Sequence, residues 1–144
     1  MNALILAAGL GSRLGSLTSM TPKCLVEVSG IPILQHQLEN LEAVGVENVL
    51  IVVGYKKTRV DEFLISYKTN MKISLVENSI YSETNSAFSF WCARNYAVRH
   101  DIIHLNCDVV FSKELLQRLI EYPHENVIAV NSHVSLGSGM EIVK

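Results

Sequence analysis

The chain has 144 residues, 49% of them hydrophobic and 18% charged, with 12 Lys+Arg against 14 Asp+Glu and a formal net charge of -2. That is one domain's length with ample material for a core, which excludes global disorder, and it lacks the basic excess by which a sequence-independent nucleic-acid binder neutralises phosphates. Cys24, Cys92 and Cys107 are too dispersed for a disulfide framework or a zinc site, and the longest apolar runs, such as residues 3–10, fall far short of the roughly 20 residues of a bilayer span. The expectation is a soluble cytoplasmic protein with no nucleic-acid or membrane partner; Met1-Asn2 also lacks the charged lead of a signal peptide.

From the N-terminus, Ala3–Ala8 predicts a buried strand. A stretch rich in Gly, Ser and Thr follows from Gly9 to Gly30, and a connection of about twenty residues inside a small domain is usually functional. Leu34, Leu38, Leu41 and Val44 then recur at steps of four and three, predicting a helix that Pro32 enters and Gly45 caps. Asn48–Val53 predicts the second strand, Thr58–Tyr67 a helix with Val60, Phe63, Leu64 and Tyr67 on one side, and Lys72–Glu77 the third strand. A polar connection, Asn78 to Asn85, leads into a helix over Ser86–Val98 with Phe88 and Trp91 as its core residues. Asp101–Asn106 predicts the fourth strand, Ser112 caps a helix over Lys113–Glu121, and Asn126–Asn131 predicts a fifth strand. Strand and helix alternate throughout, so the fold class is α/β, a three-layer α/β/α domain with a mostly parallel sheet. Both polar connections leave strand C-termini, where open α/β sheets bind ligands.

The run Leu6-Ala7-Ala8-Gly9-Leu10-Gly11-Ser12-Arg13-Leu14 comes directly after a strand, so its glycines can bring backbone N–H groups close to phosphate oxygens. It is neither a dinucleotide fingerprint, which needs glycine where Leu14 stands, nor a Walker loop, which ends in Gly-Lys-Ser/Thr. On spacing alone a tight structural turn accounts for the glycines, and Arg13 and Lys23 read as surface charges. Thr18, Pro22-Lys23, Val28, Gly30, Pro32 and Leu34 complete a longer composite. Over about its first 35 residues the chain resembles the nucleotidyltransferases that act on sugar 1-phosphates and phosphocholine, which open L-A-A-G-x-G-S-R-L, then T, P-K and G-x-P-[IL]-L.

The resemblance implies a Rossmann-like fold of the nucleotide-diphospho-sugar transferase type. It assigns Leu6, Ala8, Gly9, Gly11 and Ser12 to a nucleotide cradle, Arg13 to the β- and γ-phosphates, and Lys23 to the α-phosphate as the catalytic lysine. It assigns Asp108, which ends the apolar run 102–106, to Mg²⁺; a helix or turn cap is the alternative on position alone, and Asn106-Cys107 departs from the family's glycine before this Asp. The amides and hydroxyls of Asn78, Thr84 and Asn85 are candidates for reading a base edge, although these residue types populate any loop. Their N-x-x-Y-x-x-T-N pattern is most similar to the phosphocholine cytidylyltransferases.

The activity so implied is Mg²⁺-dependent transfer of CMP from CTP to a small phosphorylated or phosphonate acceptor, with release of pyrophosphate. Sugar-1-phosphate uridylyl or thymidylyl transfer is the enzymatic alternative, and a catalytically silent nucleotide-binding or assembly module the non-enzymatic one. Family domains run roughly half as long again, so residues 1–144 are expected to be the NTP-binding part of a domain truncated at its C-terminus, and a homo-oligomer is expected. Glu141 is a weak candidate for a second metal-binding acid. His36, His100, His104, His124 and His133 show no metal-binding spacing, Ser138 is not a nucleophile elbow, and Lys56, Lys57 and Arg59 read as a solvated face.

Overall fold

A computed structural model of the chain describes residues 1–130. Strand β1 (Asn2–Ala7) leaves the sheet through two tight 3-10 turns, Ser12–Thr18 and Lys23–Leu25. A small antiparallel ribbon follows, β2 (Glu27–Val28) and β3 (Ile31–Pro32), turned through Ser29 and Gly30 at φ 55° and 80°, the positive-φ pair that suits a two-residue hairpin. Helix α1 (Ile33–Ala43) ends where Gly45, at φ 84°, lets the N–H groups of Gly45 and Val46 return to the carbonyls of Glu42 and Leu41, each at 3.0 Å. The chain continues through β4 (Asn48–Val53), α2 (Lys57–Ser66), β5 (Lys72–Glu77), α3 (Ser86–Cys92), α4 (Arg94–Ala97), β6 (Ile102–Asn106) and α5 (Lys113–Ile120).

The main sheet is parallel throughout its four strands, in the order β5-β4-β1-β6. Because side chains alternate along a strand, β1 feeds two cores. Ala3, Ile5 and Ala7 join Val49, Ile51 and Val53 of β4 against Leu34, Leu38 and Leu41 of α1, Val60 of α2 and Leu116 of α5. Leu4, Leu6 and Val52 face the opposite way, onto Phe90 and Ala93 of the α3–α4 layer. The three layers are thereby closed. From β1 the chain builds outward through β4 and β5, then returns past β1 to lay down β6, so the helix that leaves β1 and those that lead into β6 lie on opposite faces, and the loops at the ends of these two strands flank a crevice.

The expected elements over 3–8, 33–44, 48–53, 58–67, 72–77, 101–106 and 113–121 are present to within a residue or so at each end, and Ser112 caps α5 by accepting from the Leu115 N–H at 3.3 Å. Three expectations fail. Instead of one helix over Ser86–Val98, the chain bends at Ala93, a 2%-exposed residue pressed onto the sheet, and makes two short helices around that contact. Trp91 is 58% exposed rather than buried, with the Arg94 guanidinium 4.5 Å from its ring, because the bend turns this face outward and gives the ring a cation to stack on. The fifth strand is not formed over 126–130, which are exposed and in no ladder; an apolar run becomes a strand only beside a partner, and Asn131 lies outside the described residues.

His104 on β6 is partly exposed beside Leu4, with Phe90 covering part of its ring edge-on at 5.5 Å. Burial pushes its imidazole pKa below the ordinary 6.5, so the unfolded chain takes up this proton at a higher pH than the folded one. Stability is therefore retained above about pH 6.5 and declines as pH falls through that value. Urea midpoints measured at about pH 7.5 and about pH 5.5 should drop in the parent and change less in His104→Gln, and equal slopes in the two proteins would count against this role.

Candidate functional site

The crevice between the ends of β1 and β6 opens into a cleft of about 360 Å³. Its first wall is the loop after β1, where Leu6, Ala8, Gly9, Gly11, Ser12 and Arg13 all line the space. One buried side chain shapes this loop: the Thr18 hydroxyl reaches the carbonyls of Gly11 at 3.0 Å and Gly15 at 3.2 Å. Gly11 has φ 68°, and a Cβ on it would lie 2.8 Å from Thr18 Cγ2, so only glycine allows the knot to close.

Opposite charges meet across the crevice. Lys23 projects from the second 3-10 turn and Asp108 from the turn after β6, with Nζ and Oδ2 2.5 Å apart. The side chains remain 26% and 40% exposed, so the pair contributes at most about 1 kcal/mol and can exchange partners readily. Beneath it lie Cys24 and Cys107, the chain neighbours of these two residues, both buried. Burial first, and then the Asp108 charge, push the Cys107 thiol up to about 12; burial likewise pushes Cys24 up, with Cys107 adding to it. Both stay neutral thiols at ordinary pH and are not nucleophiles.

The third wall comes from the connection after β5. Thr84 and Asn85 line the cleft, and Asn85 also caps α3 by accepting from the Phe88 N–H at 3.3 Å. Asn78 does not join them. Expected to face a base, it is 1% exposed, with its NH₂ donating to Thr84 Oγ1 at 3.0 Å and Ser89 Oγ at 3.1 Å while its oxygen accepts from the Ile80 N–H at 3.2 Å. Its amide is consumed in folding the loop, which is what an Asn just after a strand does when its neighbours supply hydroxyls. Thr84, held in this way, donates its own hydroxyl to the Ile80 carbonyl at 2.9 Å.

Tyr81, Ser86 and Ser89 also face the cleft, and sequence reasoning missed them. The spacing around Tyr81 was visible, but its position depends on Gly54 after β4, where a Cβ would come within 2.8 Å of the Ala8 carbonyl and 2.9 Å of Tyr81. Tyr55 next to it packs on Tyr81 edge-on at 6.2 Å and donates its hydroxyl to the Thr18 carbonyl at 3.0 Å, tying all three loops together. Asp108 is the acid on the cleft, and among the described residues no three His, Cys, Asp or Glu side chains cluster as a metal cage. A single accessible carboxylate suits a hard cation that takes its other ligands from phosphate oxygens and water. Glu141, His133 and Ser138 lie outside the described residues. No helix among those described is long and apolar enough to cross a membrane.

Residues 3–137 match the family model of the MobA-like NTP transferase domain. The chain is 41% identical over 131 residues to the CMP-5'-(3-aminopropyl)phosphonate synthase of Streptomyces rubellomurinus, covering 91% of this chain and 21% of that protein. It is 34% identical over 136 residues to the CTP:phosphoglutamine cytidylyltransferase of Campylobacter jejuni, covering 91% and 53%. The solved structure of CTP:phosphocholine cytidylyltransferase from Streptococcus pneumoniae superposes with a TM-score of 0.67 at 32% identity, over 78% of this chain and 49% of that one. The chain thus spans about half or less of the length of these relatives.

Gly54 gives the geometry a direct test. Adding one methyl, in Gly54→Ala, should destabilise the fold by about 1–3 kcal/mol, since a backbone carbonyl and the root of the Tyr81 side chain are what it meets. A parent-like melting temperature would show that the two loops are not in this contact.

Proposed function

Since the chain belongs to the MobA-like NTP transferase family, we propose that it carries the nucleotide site of a cytidylyltransferase, which transfers CMP from CTP to a small phosphorylated or phosphonate acceptor. The observation that carries this reading is the gathering of the Gly9–Arg13 loop, Lys23 and Asp108 around one cleft, with Thr84 and Asn85 across from them. The relatives' activities, a CMP-phosphonate synthase and two cytidylyltransferases, support CTP over other nucleotides. Residues 1–144 are on this reading the nucleotide-binding part of one domain. The three free thiols are in keeping with a cytoplasmic setting.

In the reaction an acceptor oxygen attacks the α-phosphorus in line. A new P–O bond forms, the bond from the α-phosphorus to the oxygen bridging to the β-phosphate breaks, and pyrophosphate departs with that oxygen. The backbone N–H groups of the Gly9–Ser12 loop cradle the triphosphate, and exposed Arg13 holds its terminal phosphates. Lys23 exchanges its Asp108 partner for the α-phosphate and stabilises the charge that develops there. Released from Lys23, Asp108 would be the residue that holds Mg²⁺. When bound, Mg²⁺ supplies the charge neutralisation and orientation that two anionic reactants need. Thr84 and Asn85 face the base, with Asn78 keeping their loop in shape.

Pyrophosphate release by the full-length protein, screened with CTP, UTP, dTTP and ATP against phosphocholine, 2-aminoethylphosphonate and hexose 1-phosphates, tests the reading. CTP with a phosphocholine or phosphonate acceptor should give turnover; a preference for UTP or dTTP with a hexose 1-phosphate, or silence with every pair, would overturn it. Lys23→Ala should lower kcat on the order of 10²–10³-fold, the scale of losing one preorganised stabiliser. Asp108→Ala should keep the fold and lose the Mg²⁺ dependence of CTP binding in calorimetry, because a half-exposed carboxylate contributes little to the core.

A further inference from the structure

Gln37 is the one polar side chain on the buried face of α1, fully enclosed with Ile33, Leu34, Leu38 and Leu41 as its buried neighbours on the helix. Its Nε2 donates to the backbone carbonyls of Asn106 and of Val109, each at 2.8 Å. Those are the two carbonyls that bracket Cys107 and Asp108. Because both partners are acceptors, only the NH₂ end of the amide can face them, and Oε1 is left buried with no donor among the described residues. An apolar side chain of similar length would avoid that orphaned oxygen, so the two donated bonds are what this amide contributes.

The grip continues along the same helix. Asn40 donates to the Phe111 carbonyl at 2.7 Å, while on the sheet side the Cys107 N–H is held by the Leu6 carbonyl at 3.2 Å. The turn that carries Asp108 is therefore clamped from α1 at both ends and anchored to β1 in the middle, whereas the carboxylate itself faces the cleft, where Lys23 is its partner. Where the described residues offer a cation one carboxylate and no cage, that carboxylate's position decides the affinity.

We infer that Gln37 is a positioning residue for Asp108: through the Asn106 and Val109 carbonyls it fixes the turn from which the carboxylate meets the cation that accompanies the triphosphate. This rests on the reading of Asp108 as the cation ligand. Gln37 touches neither nucleotide nor acceptor and acts only through that turn.

The test uses full-length protein, Mn²⁺ as a spectroscopic replacement for Mg²⁺, and CTP. Four variants are compared with the parent: Gln37→Met, of similar length but with no N–H, Gln37→Glu, Asp108→Ala, and Asp108→Ala combined with Gln37→Met. Mn²⁺ affinity is read by electron paramagnetic resonance and folding by circular dichroism. Gln37→Met should weaken Mn²⁺ binding roughly 10–100-fold in a folded protein and add nothing in the Asp108→Ala background. If Gln37→Met does not fold, Gln37→Glu, which keeps the shape and loses the paired donors, carries the same comparison with its own Asp108→Ala double. Parent-like Mn²⁺ affinity in a folded Gln37 variant, when Asp108→Ala has lost it, would overturn this inference and leave the cation role of Asp108 standing. A further, additive loss in the double variant would also overturn it, since Gln37 would then act elsewhere. Parent-like Mn²⁺ affinity in Asp108→Ala would remove the cation role itself and this inference with it.

Discussion

A parallel sheet brings the carboxyl ends of all its strands to one side, and the crossovers that follow them must each choose a direction. The helix that leaves β1 and the helices that lead into β6 lie on opposite faces of the sheet, so the loops at the carboxyl ends of these two strands are left to line the cleft. Every feature of the cleft answers to that constraint. The loop after β1 is long enough to form a wall, and the turn after β6 is short enough to present one acid at the rim. The ion pair of Lys23 and Asp108 spans the two where a sheet of a different order would have placed a crossover.

Loops left uncovered by helices must satisfy their own backbone groups, and the chain does this from below. The buried polar residues described are Thr18, Gln37, Asn78 and Ser89, and each braces a loop of the cleft. Thr18 knots the loop after β1, Asn78 and Ser89 share the loop after β5, and Gln37 holds the turn after β6. Burial strengthens such bonds, because water cannot compete for the carbonyls, and it makes their loss costly. The charged side chains at the rim, Arg13 and Asp108, are by contrast exposed and contribute little to the fold.

The layers were legible in the sequence because they follow from periodicity. Runs such as Asn48–Val53 have too little polar character for a one-sided strand, and the stripe Leu34, Leu38, Leu41 has the helical step. The cradle was legible for a different reason, as a resemblance to a motif in which Gly11 and Gly30 take positive φ angles that admit little else. What could not be read was anything depending on a contact between distant segments. Asn78 has the residue type of a base reader, but Thr84 and Ser89 capture its amide. Trp91 has the hydrophobicity of a core residue and lost its place to Ala93. Gln37 did leave a trace, a lone amide on an apolar stripe three residues after Leu34 and four before Leu41, a position at which a polar side chain needs a reason.

Scaffold and contact surface are thus assigned to different residues. Arg13 can be exchanged without touching the braces, whereas Thr18, Gly54 and Gln37 cannot be exchanged without moving a loop. Descendants of such a chain are free to explore new ligands by altering the rim while inheriting the frame unaltered. The expected trace in evolution is therefore not confined to residues that meet the small molecule: beside the glycine-rich loop, hidden polar side chains that never touch it would change slowly as well.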